Sequence, residues 1–163
     1  LYELALQAVE DMKTHSKGIE NVVFNIIEPD FDTSVACDNQ RLIQVFQNLY
    51  SNAIKFSSEQ AVALVTFKQS VINQYRNEEK VELPAIEVSV SDEGVGIPDS
   101  ELETIFDLFV LSSKTRSGYG GAGLGLPICR EIIEAHRGRI FAGNDSSGGA
   151  VLTFIIPVKS PDS

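Results

Sequence analysis

The stretch GYGGAGLGLPIC places five glycines, Gly118, Gly120, Gly121, Gly123 and Gly125, in a short span that runs straight into an apolar periodic segment. A pliant loop feeding a helix leaves backbone N–H groups unpaired at the positive end of the helix dipole, where a chain most readily holds a phosphate. Ordering such a loop costs conformational entropy, so it is expected to close around a ligand. No Lys-Ser/Thr follows the glycines, which sets the loop apart from P-loop enzymes.

The rest of the composition bounds the partners. A chain of 163 residues suits one domain with a core of its own. A hydrophobic share of 43% and a charged share of 22% are ordinary for a soluble globular chain. A net charge of −10 argues against a nucleic-acid partner, which calls for a basic face. It leaves room for a nucleotide held by backbone amides and a few cations. Cys37 and Cys129 lack C-x-x-C spacing and read as free thiols of a reducing cytosol. There is no membrane-length apolar run and no signal-peptide pattern. The expected location is therefore cytoplasmic, with any membrane anchor of the parent protein elsewhere. The opening LYELALQAVEDM is helical and lacks an initiator Met, as expected of a piece of a longer protein.

Along the chain, residues 1–14 predict the end of a helix, and NVVFNI (21–26) and SVACD (34–38) predict short strands. Asp38 is placed to cap a helix running to about Ser57, with Leu42, Val45, Phe46, Leu49, Ala53 and Ile54 as its apolar stripe. A strand near 61–69 is followed by a polar stretch, Val71–Leu83, read as an exposed hairpin tip or insertion. In 85–91, Ile86, Val88 and Val90 alternate with Glu87, Ser89 and Ser91, so one sheet face is wet and helices cover only the other. That favours an α+β fold, a two-layer α/β sandwich, over a doubly wound three-layer one. The turn DEGVGIPDS, a short helix ELETIF and a long loop from Asp107 to Gly123 come next. A helix over 124–136 with Leu124, Ile128, Ile132 and Ala135 inward, then strands 138–143 and 150–157 around the tip NDSSGG, complete the chain.

Three features converge on phosphate chemistry. On the predicted 39–57 helix, Asn48, Asn52 and Lys55 share one face. Amide oxygens there can complete a Mg²⁺ shell shared with phosphates, and Lys55 can meet a phosphate as a point charge. At a strand end, Asp92 offers a carboxylate to an exocyclic amine such as adenine N6, while Gly94 and Gly96 let a flat ring approach the backbone. The long loop brings Lys114 and Arg116 toward the glycines. The competing readings are a solvated polar face, a plain strand-ending turn and a surface loop.

In this order the segments resemble the boxes of one family. QVFQNLYSNAIKF is similar to its N box, DEGVGIP to the G1 box, IFDLF to the F box and GGAGLGL to the G2 box. The chain resembles, over roughly residues 20–157, the catalytic and ATP-binding domain of sensor histidine kinases, within the Bergerat-fold group that includes Hsp90, gyrase B and MutL. The resemblance implies a mixed, mostly antiparallel sheet with about three helices on one face. It implies ATP and Mg²⁺ as ligands, with Asn52 on the metal, Asn48 oriented toward metal and phosphates, and Lys55 on phosphate. Phe56 would lie near the base or ribose. Asp92 would bind the adenine amine, beside Gly94, Gly96 and Ile97. Phe106 and Phe109 would anchor an ATP lid, Lys114 or Arg116 would reach the γ-phosphate, and Gly121, Gly123, Leu124 and Gly125 would offer amides. Ala122, Pro127 and Val151 depart from the common pattern, Pro127 harmlessly in a first helical turn.

The implied activity is two-component signal transduction: transfer of the γ-phosphate to a histidine on a dimerisation domain absent from this chain. The implied partners are that domain, a cognate response regulator and a second copy of the parent. Hydrolases of the group use a carboxylate at the position matching Asn48; an amide cannot act as general base. His15 (HSKG) and His136 (HRGR) do not resemble the phosphoacceptor motif. The corresponding division is residues 1–15 as the end of a dimerisation helix or linker, 16–158 as the catalytic and ATP-binding domain, and 159–163 as a tail. The alternatives are a degenerate nucleotide-binding relay module and an anti-sigma-type serine kinase on the same fold.

Overall fold

In a computed structural model that describes residues 1–15, 22–56, 62–76, 78–108, 110 and 125–159, Asp38 opens the central helix. Its Oδ1 accepts the Arg41 N–H at 3.1 Å and its carbonyl accepts the Leu42 N–H at 3.0 Å, satisfying donors that a helix start leaves unpaired. This helix, α2 (Asn39–Phe56), turns Leu42, Val45, Phe46, Leu49 and Ala53 into the core, and all five are buried. α1 (Tyr2–His15) lies against it through Ala5, Ala8, Val9 and Met12. The buried Tyr50 hydroxyl ties the two helices together by donating to the Ala5 carbonyl at 3.1 Å.

Five strands form one sheet in the order β1-β2-β3-β5-β4: β1 (Val23–Ile26), β2 (Val62–Arg76), β3 (Glu79–Asp92), β4 (Arg139–Asn144) and β5 (Ala150–Pro157). β1 runs parallel to β2 and the remaining neighbours are antiparallel. Ile86, Val88 and Val90 of β3 are buried beneath the helices. On the opposite face the Ser89 and Thr153 hydroxyls share a hydrogen bond of 2.9 Å. α3 (Gly125–Ala135) joins α1 and α2 on the covered face, giving the two-layer α/β architecture with three helices over a mixed sheet. Phe46 of α2 meets Phe154 of β5 edge-on, ring centroids 5.5 Å apart, so the two layers interlock through aromatic contact. No helix among the described residues is long and apolar enough to cross a membrane.

Two local expectations are corrected and two are refined. SVACD is not a strand: the Asp32 carboxylate takes the Ser34 N–H at 2.8 Å, an Asx turn that diverts the backbone from a ladder. The short helix expected over ELETIF is formed as 3-10 turns, Asp99–Glu101 and Thr104–Phe106, rather than as one run. There the Thr104 hydroxyl donates to the Glu101 carbonyl, competing for an acceptor that a longer helix would use. Val71–Leu83 is the expected hairpin, with Val71 and Tyr75 exposed, and β2 and β3 pair through it from Val71↔Pro84 to Arg76↔Glu79. Ile72 is buried within this arm, and the Gln74 side chain reaches the Arg137 carbonyl at 2.9 Å. Finally, Ala135 is exposed. The inward side of α3 carries Cys129, Ile132 and Ile133, the i, i+3, i+4 set that faces α2 and the sheet.

Candidate functional site

Asp92 ends β3 at a place where a carboxylate is costly to bury. It is 6% exposed, and its Oδ1 accepts two backbone N–H groups, from Gly94 at 2.8 Å and Ala150 at 3.2 Å. Among the described residues its Oδ2 has no hydrogen-bond partner, a polar atom left over in a buried site. Burial pushes the Asp92 carboxyl above the usual carboxylate range; the two N–H donors pull it back, and the nearby Asp145 carboxylate adds to the rise.

The turn that follows is built against the β4–β5 hairpin. Gly96 has φ +69°, and a methyl group there would run into the Gly148 carbonyl and lie 2.8 Å from Asn144 Oδ1. Only glycine fits both the dihedral and the space. Asn144, the last residue of β4, accepts the Ile97 N–H at 2.8 Å and donates to the Ile97 carbonyl at 2.7 Å. Asp145 folds the tip itself, its Oδ1 accepting from the Ser147 N–H, the Ser147 hydroxyl and the Gly149 N–H. Those donors hold the Asp145 carboxyl below its usual range, the Ser147 hydroxyl foremost. Gly149 passes so close to the Asp92 carbonyl that a side chain there would collide with it.

A second group of residues meets at the junction of α2 and α3. Asn48, half-buried on α2, directs its Nδ2 to the Gly125 carbonyl at 3.4 Å. The amide face of α2 thus lies beside the N-terminus of α3, the helix end whose dipole favours an anion. Asn52 follows one turn later, half-buried, and Lys55 stands exposed in the last turn; Lys55 makes no ion pair among the described residues. Pro127 falls in the first turn of α3. Cys129 is fully buried and its thiol is pushed up to about 12 by burial, with the Asn48 side chain pulling it down in part.

The structure therefore gathers Asp92, Gly94, Gly96 and Ile97 in one turn, and Asn48 with Gly125 at one helix junction. Phe109, Lys114, Arg116, Gly121, Gly123 and Leu124 lie outside the described residues, as does the Phe56 side chain. Phe106 is buried beneath the Arg130 guanidinium, 6.0 Å from its ring centroid, and Arg130 also pairs with Asp107 at 3.3 Å. Sequence reasoning missed Asn144 and Asp145. The signal was the Asn-Asp pair before Ser-Ser-Gly-Gly, a composition that favours side-chain capping of a tight turn. His136 is a cap that reaches across the fold: its Nε2 accepts the Asp38 N–H at 2.9 Å while Nδ1 lies 2.7 Å from the Ile132 carbonyl.

Comparison with known proteins follows the same lines. Residues 37–160 match the family described as histidine kinase-, DNA gyrase B- and HSP90-like ATPases. Sensor histidine kinase WalK of Bacillus subtilis is 42% identical over 132 residues, covering 80% of this chain and 20% of that protein. The catalytic domain of histidine kinase ThkA superposes with a TM-score of 0.68 at 32% identity, covering 98% of this chain and 93% of that one. Full-length ShkA in complex with AMPPNP superposes at 0.65 with 29% identity, over 96% of this chain and 29% of that one. The chain spans about a fifth of the length of WalK. It belongs to the histidine kinase-, DNA gyrase B- and HSP90-like ATPase family, as an ATP-binding catalytic domain of the histidine-kinase type.

Proposed function

We propose that this domain binds Mg-ATP and donates its γ-phosphate to a histidine on a dimerisation domain, for onward relay to a response regulator. The observation that carries the reading is the buried Asp92, with one oxygen satisfied twice and the other without a partner among the described residues. An ionised carboxylate is an acceptor only, so the free oxygen suits a donor, and the exocyclic amine of adenine supplies one. Family membership and the AMPPNP bound by ShkA support the same ligand.

Asn48 and Asn52 fit a magnesium ion that is shared with the ligand. Mg²⁺ takes few protein oxygens and keeps waters and phosphate oxygens in its shell. Among the described residues no cluster of three His, Cys, Asp or Glu could hold a metal alone. Asn52 would contribute the amide oxygen, Asn48 would orient toward the metal and phosphates, and Lys55 would add charge. When bound, the metal neutralises charge on the phosphates. Lys114 or Arg116 and the amides of Gly121, Gly123, Leu124 and Gly125 would complete the phosphate end, Phe56 and Ile97 would lie near the base or ribose, and Phe109 would anchor the lid.

α2 carries no carboxylate anywhere along NQRLIQVFQNLYSNAIKF, so it offers no general base for water. Transfer is then favoured over hydrolysis: the acceptor imidazole bonds to the γ-phosphorus, the bond to the bridging oxygen breaks, and ADP leaves. Positioning and charge neutralisation do most of that work. The ring of His136 is engaged at both nitrogens within the fold, which suits a structural role. Residues 1–15 would continue into the dimerisation domain of a homodimeric parent, and 16–158 would be the catalytic unit.

The experiment is γ-labelled ATP with and without a supplied histidine-bearing helical dimerisation domain. Acid-labile phosphate is expected on the supplied domain and none on the chain alone. Acid-stable phosphoserine on a supplied serine protein would favour the anti-sigma-type reading, and no transfer despite ATP binding would favour a relay module. Asn52→Ala is expected to weaken ATP binding in Mg²⁺ while leaving binding in EDTA unchanged.

A further inference from the structure

Two turns distant in sequence are fastened into one unit beside Asp92, and one amide side chain supplies two of the bonds. Asn144 uses both halves of its amide on one residue: Oδ1 takes the Ile97 N–H at 2.8 Å and Nδ2 gives to the Ile97 carbonyl at 2.7 Å. This closes a ring that fixes Ile97 in distance and in orientation. Directly before Ile97 stands Gly96, left-handed at φ +69° and pressed against the Gly148 carbonyl. On the other side of the unit the Ala150 N–H, paired across the ladder from Asn144, is spent on Asp92 Oδ1. Asn144 therefore sits where the position of the 94–97 turn and the orientation of the Asp92 carboxylate are set against one strand end.

We propose that Asn144 is a positioning residue for base recognition. By clamping the Ile97 backbone to the end of β4 it fixes how far the Gly94–Gly96 wall stands from the free Asp92 oxygen. That spacing decides whether a purine carrying an exocyclic amine is preferred over one without it. The proposal rests on the reading of Asp92 as the adenine acceptor and adds a second-layer residue that selects the base. An aspartate at 144 would keep the acceptor and lose the donor. Its second oxygen would face the Ile97 carbonyl where Nδ2 now donates, acceptor against acceptor, and would set a third carboxylate near Asp92 and Asp145.

The test measures binding of ATP and of purine riboside triphosphate, which lacks the 6-amino group, to the wild type and to Asn144→Ala and Asn144→Asp. Removal of two hydrogen bonds is expected to weaken ATP about tenfold in Asn144→Ala. Binding of the amine-free analogue should change much less, so the preference for ATP shrinks. A merely structural role would weaken both nucleotides alike, and that result overturns the proposal. The Ile97 amide, followed by hydrogen exchange in the free protein, should exchange faster in Asn144→Ala; unchanged protection also overturns it. If Asn144→Ala does not fold, Asn144→Asp carries the same comparison, with faster exchange at Ile97 and part of the preference lost. If the wild type itself fails to prefer ATP over the analogue, the reading of Asp92 fails, and the proposal falls with it even where exchange at Ile97 shows the clamp intact.

Discussion

Asn48 and Gly125, 77 positions apart in sequence, are joined by a hydrogen bond of 3.4 Å from the Asn48 side chain to the Gly125 carbonyl. The bond fastens the start of α3 to the face of α2 that carries Asn52 and Lys55. Asn48→Ala is expected to cost about 1 kcal/mol of stability, the usual worth of one such bond. Hydrogen exchange should speed up at the first hydrogen-bonded amides of α3, from Cys129 onward, and remain unchanged in β3. Equal acceleration in both would show that the substitution acts on the whole fold.

Asp92 yields a pH prediction. Its carboxyl sits above the usual range because it is buried, so the folded protein takes up this proton at a higher pH than the unfolded chain does. Above the folded-state pKa the buried charge weighs against folding; as pH falls through that value the penalty is relieved. Binding runs the other way, because only the ionised form has a free acceptor. ATP affinity should decline on acidification, beginning above the ordinary carboxylate midpoint. Asp92→Asn should lose about 1–3 kcal/mol of ATP binding at neutral pH, and calorimetric titration should find its residual affinity free of that pH dependence.

Tyr50 tests the helix layer separately from the site. Its hydroxyl is buried and donates to the Ala5 carbonyl, and burial raises its pKa far above the phenol's ordinary value. Tyr50→Phe is expected to cost about 1 kcal/mol in urea unfolding, with ATP affinity unchanged. A loss of nucleotide binding would mean that α1 contributes to the site.

The two thiols should differ in accessibility. Cys129 is fully buried with its thiol pushed up to about 12, whereas Cys37 is only half-buried, its thiol raised chiefly by burial. Since the thiolate is the reactive form, both should react slowly. Ellman's reagent is expected to label Cys37 alone in the native protein and Cys129 only after unfolding; Cys37→Ser should leave no native reactivity.

Periodicity in the sequence sufficed for α2, for the Asp38 cap and for the alternation of β3, because each depends on residues within a turn or two of one another. The amide row and the D-x-G-x-G turn were legible for the same reason. SVACD has β-forming residues yet is no strand, since the Asx turn at Asp32 takes the Ser34 N–H that a ladder would need. Ala135 fits an apolar stripe by spacing but faces out, because the inward direction of α3 was set by the neighbours it packs on.

What the sequence by itself determined is the set of local devices: a capped amphipathic helix, a carboxylate ending an alternating strand and a glycine-rich entry to a second helix. What only the tertiary structure decided is how they are joined. Asn144 reaches Ile97 across 47 positions, and Ala150 reaches Asp92 across 58. Contacts at that separation are fixed by sheet order and register, and hydrophobic patterning constrains those only once every strand has found its neighbour.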